Sequence, residues 1–110
     1  MDENSKKYLF DVLKACEEVE SFFSGEKIFA DFQADILRQR AVERNVEIMG
    51  EAINQLLKHN HDIVLDNAKA IISTRNRVIH GYDSVTPEFL WSLVVKHIPK
   101  LYADVNEMLK

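Results

Sequence analysis

The sequence predicts an all-α fold: an antiparallel bundle of four main helices joined by short turns, built as one domain over residues 1–110. Three observations carry this expectation. Apolar residues recur at three- and four-residue steps through four long segments, the spacing that lines one face of a helix. No segment alternates apolar and polar residues over the length of a strand. Only 3 Gly and 2 Pro stand in 110 residues, too few for a flexible linker between two domains.

The first helix is expected over 5–24, where Leu9, Val12, Leu13, Cys16, Val19 and Phe23 mark an amphipathic face. The stretch SGEK ends it, with Gly25 as the expected C-terminal cap. The short run IFADF, residues 28–32, reads as a single helical turn.

The longest helix is expected over 35–58, with Asp35 at its N-cap. Val42, Val46, Met49, Ile53 and Leu56 draw an apolar stripe along it; Arg40, Arg44, Glu47 and Glu51 draw a charged one. Gly50 interrupts this helix. A helical glycine costs roughly 1 kcal/mol relative to alanine, so it marks a bend or the close approach of another group.

KHNHD breaks the pattern, and Asp66 or Asn67 is placed to cap the next helix, about 67–80. Ala68, Ile71, Ile72, Val78 and Ile79 share one side of it, Arg75 falls within that apolar stripe, and Gly81 is expected to stop it. The last helix has a plain start: Thr86 as cap, Pro87 as first helical residue, and Glu88 at the positive end of the dipole. It runs to the C-terminus with two apolar stripes: Leu90, Leu93, Val94, Leu101 and Met108, then Trp91, Val95, Ile98, Tyr102 and Leu109. Two stripes imply more than one covered face. Pro99 is expected to bend this helix rather than end it.

Composition limits the function. The net charge is −4 and the pI about 5.5, the wrong sign for a general coat on nucleic acid. Any nucleic-acid chemistry must rest on a local basic site, one that oligomerisation can double. The lone Cys16 excludes an internal disulfide framework and a cysteine zinc cluster, and a reduced cytoplasmic setting is the expectation. No segment has the apolar length of a membrane span, and the polar N-terminus MDENSKKYLF does not read as a signal peptide.

The anomalies cluster in STRNRVIHGY, residues 73–82. Arg75 on an apolar stripe needs a partner, because a lone buried charge is very costly. A structural ion pair to Glu47 or Glu51 satisfies that need. His80 stands near a helix C-terminus, where the macrodipole favours its charged form, and it is also a group that titrates near neutral pH. On an ideal helix Arg75 and His80 are five residues and about 140° apart, so they do not share a face within one chain. Asn76, four residues before His80, is better spaced to meet it. Tyr82 lies past Gly81 and reads either as an aromatic lid on the helix end or as an accessible hydroxyl. His59 and His61 flank Asn60, a weak metal signal by itself, and His97 sits on an apolar stripe as a core histidine would. No metal-binding, phosphate-loop or nucleophile-elbow motif occurs, and no cofactor or metal is expected.

The order Arg75, His80, Tyr82, together with the blocks ADFQADILRQRAVERNVEIMGEAINQL, RNRVIHGY and TPEFLWSLVVKHIPKL, resembles the HepT-type toxins of the HEPN superfamily, small all-α ribonucleases of prokaryotic toxin–antitoxin pairs. The resemblance covers nearly the whole chain. It implies a homodimer whose two motifs meet across the interface, so that Arg75 of one copy serves His80 of the other. It implies metal-independent endonucleolytic cleavage of RNA, with Arg75 and His80 catalytic and with Asn76 and Arg77 supporting or binding RNA. It implies a partner as well, a small nucleotidyltransferase antitoxin of the MNT type that attaches AMP to Tyr82 and so blocks the site. The competing expectation is a non-catalytic helical scaffold of the same fold, in which Arg75 and His80 are structural.

Overall fold

Asp2 opens the first helix, and its Oδ1 accepts a hydrogen bond from the Ser5 N–H at 2.7 Å. The computed structural model describes residues 1–77 and 85–110 in full and residues 78–80 as backbone. Helix α1 spans Glu3–Ser21, two residues earlier at its start than the apolar pattern predicts, because the Asp2 cap lies outside that pattern. It closes at Phe22, whose N–H donates to the Glu20 and Val19 carbonyls. Gly25 is therefore not the cap. It adopts φ +72 in the following turn, a conformation glycine tolerates and other residues rarely adopt.

Helix α2, Phe29–Gln33, is the short turn expected from IFADF. Helix α3, Ile36–His59, starts at the predicted cap: Asp35 Oδ1 accepts from the Arg38 N–H at 3.0 Å. A 3-10 turn, Asp66–Ala68, leads into α4, Lys69–His80. Neither Asp66 nor Asn67 caps with its side chain. Leu65 occupies the cap position, and the Asn67 amide donates across the bundle to Asp104 at 2.8 Å. The expected stop at Gly81 and the position of Tyr82 lie outside the described residues.

The last helical stretch comes in three joined parts. Helix α5 is Pro87–Ser92, a π turn covers Leu93–His97, and α6 is Ile98–Met108. Thr86 caps α5 as predicted, its Oγ1 accepting from the Phe89 N–H at 3.2 Å. The π turn sits just before Pro99. That proline has no N–H to offer the preceding turn and its ring crowds the carbonyl there, so a wider turn takes up the mismatch and the helix continues.

Among the described residues the structure is all helix and turn, with no strand. Helices α1 and α3 run antiparallel. Tyr8 near the start of α1 stacks on His59 at the end of α3, and Arg38 at the start of α3 lies 5.1 Å over Phe23 just past α1. Helix α4 packs against α3, and α6 packs against α1. One continuous core joins them, with Leu9, Phe32, Val42, Met49, Ile53, Leu56, Ile71, Leu90, Leu93 and Leu101 fully buried.

The two stripes of the last helix have separate fates. The first, with Leu90, Leu93, Val94 and Leu101, is core. Much of the second is taken up inside the chain. Trp91 packs among Phe23, Phe29 and Phe32 with ring centroids 5.5 to 6.1 Å apart, and the Tyr102 hydroxyl donates to Glu17 at 3.1 Å. Only Val95 of that stripe is well exposed, so the doubled pattern does not require a second copy to cover it. The most exposed apolar pair stands elsewhere, at Ile36 and Leu37 where α3 begins.

Candidate active site

Arg75 lies on α4 where that helix crosses α3. Its stem rests directly on Gly50: a Cβ built on that glycine would stand 2.6 Å from Arg75 Cβ and 2.8 Å from Cγ. Gly50 thus marks the close approach of a side chain from a neighbouring helix. With the stem laid across α3, the guanidinium reaches the next residue of that helix, and Arg75 Nη2 donates to Glu51 Oε2. Of the two partners the sequence offers for an ion pair, Glu51 is the one used. Glu47 pairs instead with Arg44 at 3.3 Å.

The rest of the arginine head is equally specific. Nη1 donates to Asn76 Oδ1 at 3.0 Å. Nε is buried and finds no acceptor among the described residues. The side chain as a whole is 22% exposed, so the head is partly open to solvent. On the far side Glu51 accepts a second bond, from Gln55 Nε2 at 3.0 Å. That amide and the Arg75 charge hold the Glu51 carboxyl below the usual carboxylate range.

Beside Arg75 the groove between α1 and α3 opens into a cavity of about 370 Å³. Lys7, Tyr8, Arg44, Ile48 and Gln55 help line it together with Arg75 and Glu51. Its three cations are each matched by a carboxylate: Lys7 with Asp11 at 3.2 Å, Arg44 with Glu47, and Arg75 with Glu51. The Lys7 and Arg44 side chains are well exposed, and exposed pairs are worth only about 0–1 kcal/mol. A larger and more apolar cavity, about 530 Å³, lies between α1 and α6 around Cys16, Pro99 and Tyr102 and shares no lining residue with the first.

Of the residues singled out in the sequence, Arg75 and Asn76 are brought together directly. Asn76 accepts from Arg75; the contact with His80 that the spacing suggests lies outside the described atoms. Arg77 points away from this pair, with its guanidinium 5.6 Å above the Phe89 ring of α5. His80 is the last residue of α4; its side chain and all of Tyr82 lie outside the described atoms. His59 stacks on Tyr8 and His61 is exposed in the loop that follows α3. His97 is only half-buried rather than core. Burial first, then Lys96 and Lys100, holds its imidazole below the ordinary value. Gln55 and Tyr8 escaped the sequence reading. Gln55 stands one turn beyond Glu51, a spacing that signals a side-chain bond once Glu51 is in view; Tyr8 lies 67 residues from Arg75 and gives no local signal.

A small helical protein that presents an arginine over a groove, next to the motif R-x-x-x-x-H-x-Y, belongs to a definable class. The chain is a member of the HepT-like ribonuclease family, whose profile, described as ribonuclease HepT-like, matches residues 12–108. It is 33% identical over 113 residues, spanning both chains completely, to "Probable ribonuclease HepT" of Thermococcus cleftensis. It is 34% identical over 108 residues, 96% of this chain and 94% of the relative, to "Putative RNase TTE0752" of Caldanaerobacter subterraneus subsp. tengcongensis. A relative from Methanocaldococcus jannaschii, "Putative RNase MJ0127", is 26% identical over 109 residues, 96% of this chain and 87% of its own length. No solved structure gives a significant match. No helix among the described residues is long and apolar enough to cross a membrane.

Proposed function

We propose that this chain is a metal-independent endoribonuclease of the cytoplasm. In this reading residues 1–110 fold as one domain and act as the toxin of a pair whose antitoxin is an MNT-type nucleotidyltransferase. The observation that carries the reading is the placement of Arg75, with two acceptors on its head and its tip at a groove, in a chain of a ribonuclease family.

The chemistry follows from what the motif residues can do. The RNA 2′-oxygen attacks the adjacent phosphorus, the bond to the 5′-oxygen breaks, and a 2′,3′-cyclic phosphate and a 5′-hydroxyl result. Arg75 donates two N–H groups to the non-bridging oxygens and stabilises the charge that builds on them. His80 moves the proton, a role suited to an imidazole near neutral pH. Asn76 holds one terminal nitrogen of Arg75, and Arg77 contacts flanking RNA. No metal or cofactor is called for. Because Arg75 and His80 stand about 140° apart on one helix, a complete site calls for two copies of the chain, with Arg75 of one facing His80 of the other.

Regulation falls on Tyr82. Its oxygen attacks the α-phosphorus of ATP in the antitoxin's active site, pyrophosphate leaves, and the resulting O-AMP-tyrosine carries a phosphodiester anion that competes with the RNA phosphate for Arg75.

One observation favours the second reading, a non-catalytic helical scaffold: Arg75 already has an ion pair, as a structural arginine would. Cleavage of a mixed-sequence RNA by the purified chain, compared with Arg75→Ala and His80→Ala, decides between them. Loss of a positioned acid–base group typically costs about a hundredfold to ten-thousandfold, and both variants are expected to lose activity while keeping their helical circular dichroism. A wild type that leaves the RNA intact leaves only the scaffold; equal cleavage by all three removes Arg75 and His80 from the reaction.

A further inference from the structure

We infer that Glu51, itself held by Gln55, is the positioning residue that aims Arg75 at the RNA phosphate. The inference rests on the ribonuclease reading above and goes beyond it to residues outside the R-x-x-x-x-H-x-Y motif.

A guanidinium has five N–H groups. Glu51 takes one on Nη2 and Asn76 takes one on Nη1, while the Nε N–H is buried. One N–H remains on each terminal nitrogen, two charged donors for the oxygens of a phosphate. The direction in which they point is set by the plane of the guanidinium. That plane is fixed at three places: the stem lies against Gly50, Nη1 is held by Asn76, and Nη2 is held by Glu51.

Glu51 can hold it because Glu51 is itself held. Gln55 Nε2 donates to Glu51 Oε1 at 3.0 Å, leaving Oε2 for Arg75. Both residues are on α3, one turn apart, so this clamp on the α4 arginine is part of a long, well-packed helix. Glu51 is about half exposed, and so tolerates substitution without loss of core packing.

A carboxylate beside a phosphate site has a second effect. It partly cancels the charge that attracts RNA. Removing it therefore lowers kcat without raising KM, a split that removal of a merely structural ion pair does not give. In Glu51→Ala the guanidinium is freed, so kcat falls, by roughly tenfold to a hundredfold on the scale of a misplaced catalytic contact. The cancelling charge is also gone, so KM stays level or falls. In Glu51→Gln the amide oxygen still accepts from Arg75, so most of kcat returns while KM remains low. Gln55→Ala, which loosens the holder only, gives a smaller loss of kcat.

The test measures kcat and KM on a single-stranded mixed-sequence RNA for wild type, Glu51→Ala, Glu51→Gln and Gln55→Ala, with Arg75→Ala as the reference for loss of the arginine. Guanidinium NMR of Arg75 in the free protein accompanies it; restricted rotation in wild type and free rotation in Glu51→Ala are expected. A kcat for Glu51→Ala within twofold of wild type overturns the inference. So does a loss seen only as a raised KM, or Arg75 guanidinium signals that are the same in both proteins. Failure of the underlying reading looks different: wild type leaves RNA intact, or Arg75→Ala cuts as well as wild type, and the inference then falls with it.

Discussion

Arg75 and Gly50 occupy each other's space: the arginine stem fills the volume that a side chain at position 50 would need, with Cβ and Cγ 2.6 and 2.8 Å from the point where that side chain would begin. These atoms are at the root of the arginine, not at its flexible end, so they cannot swing aside. Helices α3 and α4 approach as closely as they do because residue 50 has no Cβ.

The substitution Gly50→Ala therefore pits two effects against each other. Alanine gains up to about 1 kcal/mol of helix propensity, while overpacking at a helix crossing costs typically about 1–3 kcal/mol. The crossing is expected to win. Thermal unfolding should show a lower Tm, by about 4–8 °C for each net kcal/mol in a domain of this size, and RNA cleavage should fall as Arg75 is displaced. A Tm above wild type would show that α4 shifts freely and that the contact is not tight.

Light scattering at micromolar concentration is expected to give a mass near twice the 12.8 kDa of the chain. The reason is the angular separation of Arg75 and His80, since Trp91 and Tyr102 already have partners within the chain. A monomer that cleaves RNA at full rate would mean that one chain completes the site unaided.

Tyr82→Phe keeps the aromatic ring and removes the oxygen that would accept AMP. This variant is expected to cleave RNA yet escape neutralisation when co-expressed with an MNT-type nucleotidyltransferase. Mass spectrometry should find adducts in multiples of AMP on wild type and none on Tyr82→Phe. An adduct that maps to another residue, or a variant neutralised as readily as wild type, removes Tyr82 from regulation.

Cys16 should be chemically silent in the native protein. Burial, with the Glu17 charge adding to it, pushes its thiol up to about 12, and only 3% of the residue is exposed. At pH 8 that leaves far less thiolate than the roughly one quarter of an unperturbed cysteine near 8.5. A thiol reagent at pH 8 should label the protein only after denaturation. Rapid labelling of the folded chain would mean that the cavity at Cys16, Pro99 and Tyr102 opens to admit it.

Much of the architecture was legible from the sequence because helix signals are local. The Asp35 and Thr86 caps, the apolar stripe from Val42 to Leu56 and the short turn at IFADF depend on residues within four or five positions of one another, and each is found where it was read. Local reading misplaced what involves distant partners. Asn67 bonds to Asp104 instead of capping its own helix, Gly25 follows a helix already closed at Phe22, and the second stripe of the last helix meets an aromatic cluster from residues 23 to 32. The same division runs through the site. Sequence alone marked Arg75 as an arginine in need of a partner and Gly50 as a point of close approach, because a charge on an apolar stripe and a glycine inside a helix are costly wherever they occur. That the two answer each other, and that Glu51 rather than Glu47 takes the guanidinium while Gln55 steadies it, was decided by the crossing of α3 and α4. Which of two carboxylates one turn apart meets a side chain 24 residues away depends on how two helices pack, and helix packing is settled by the whole core at once.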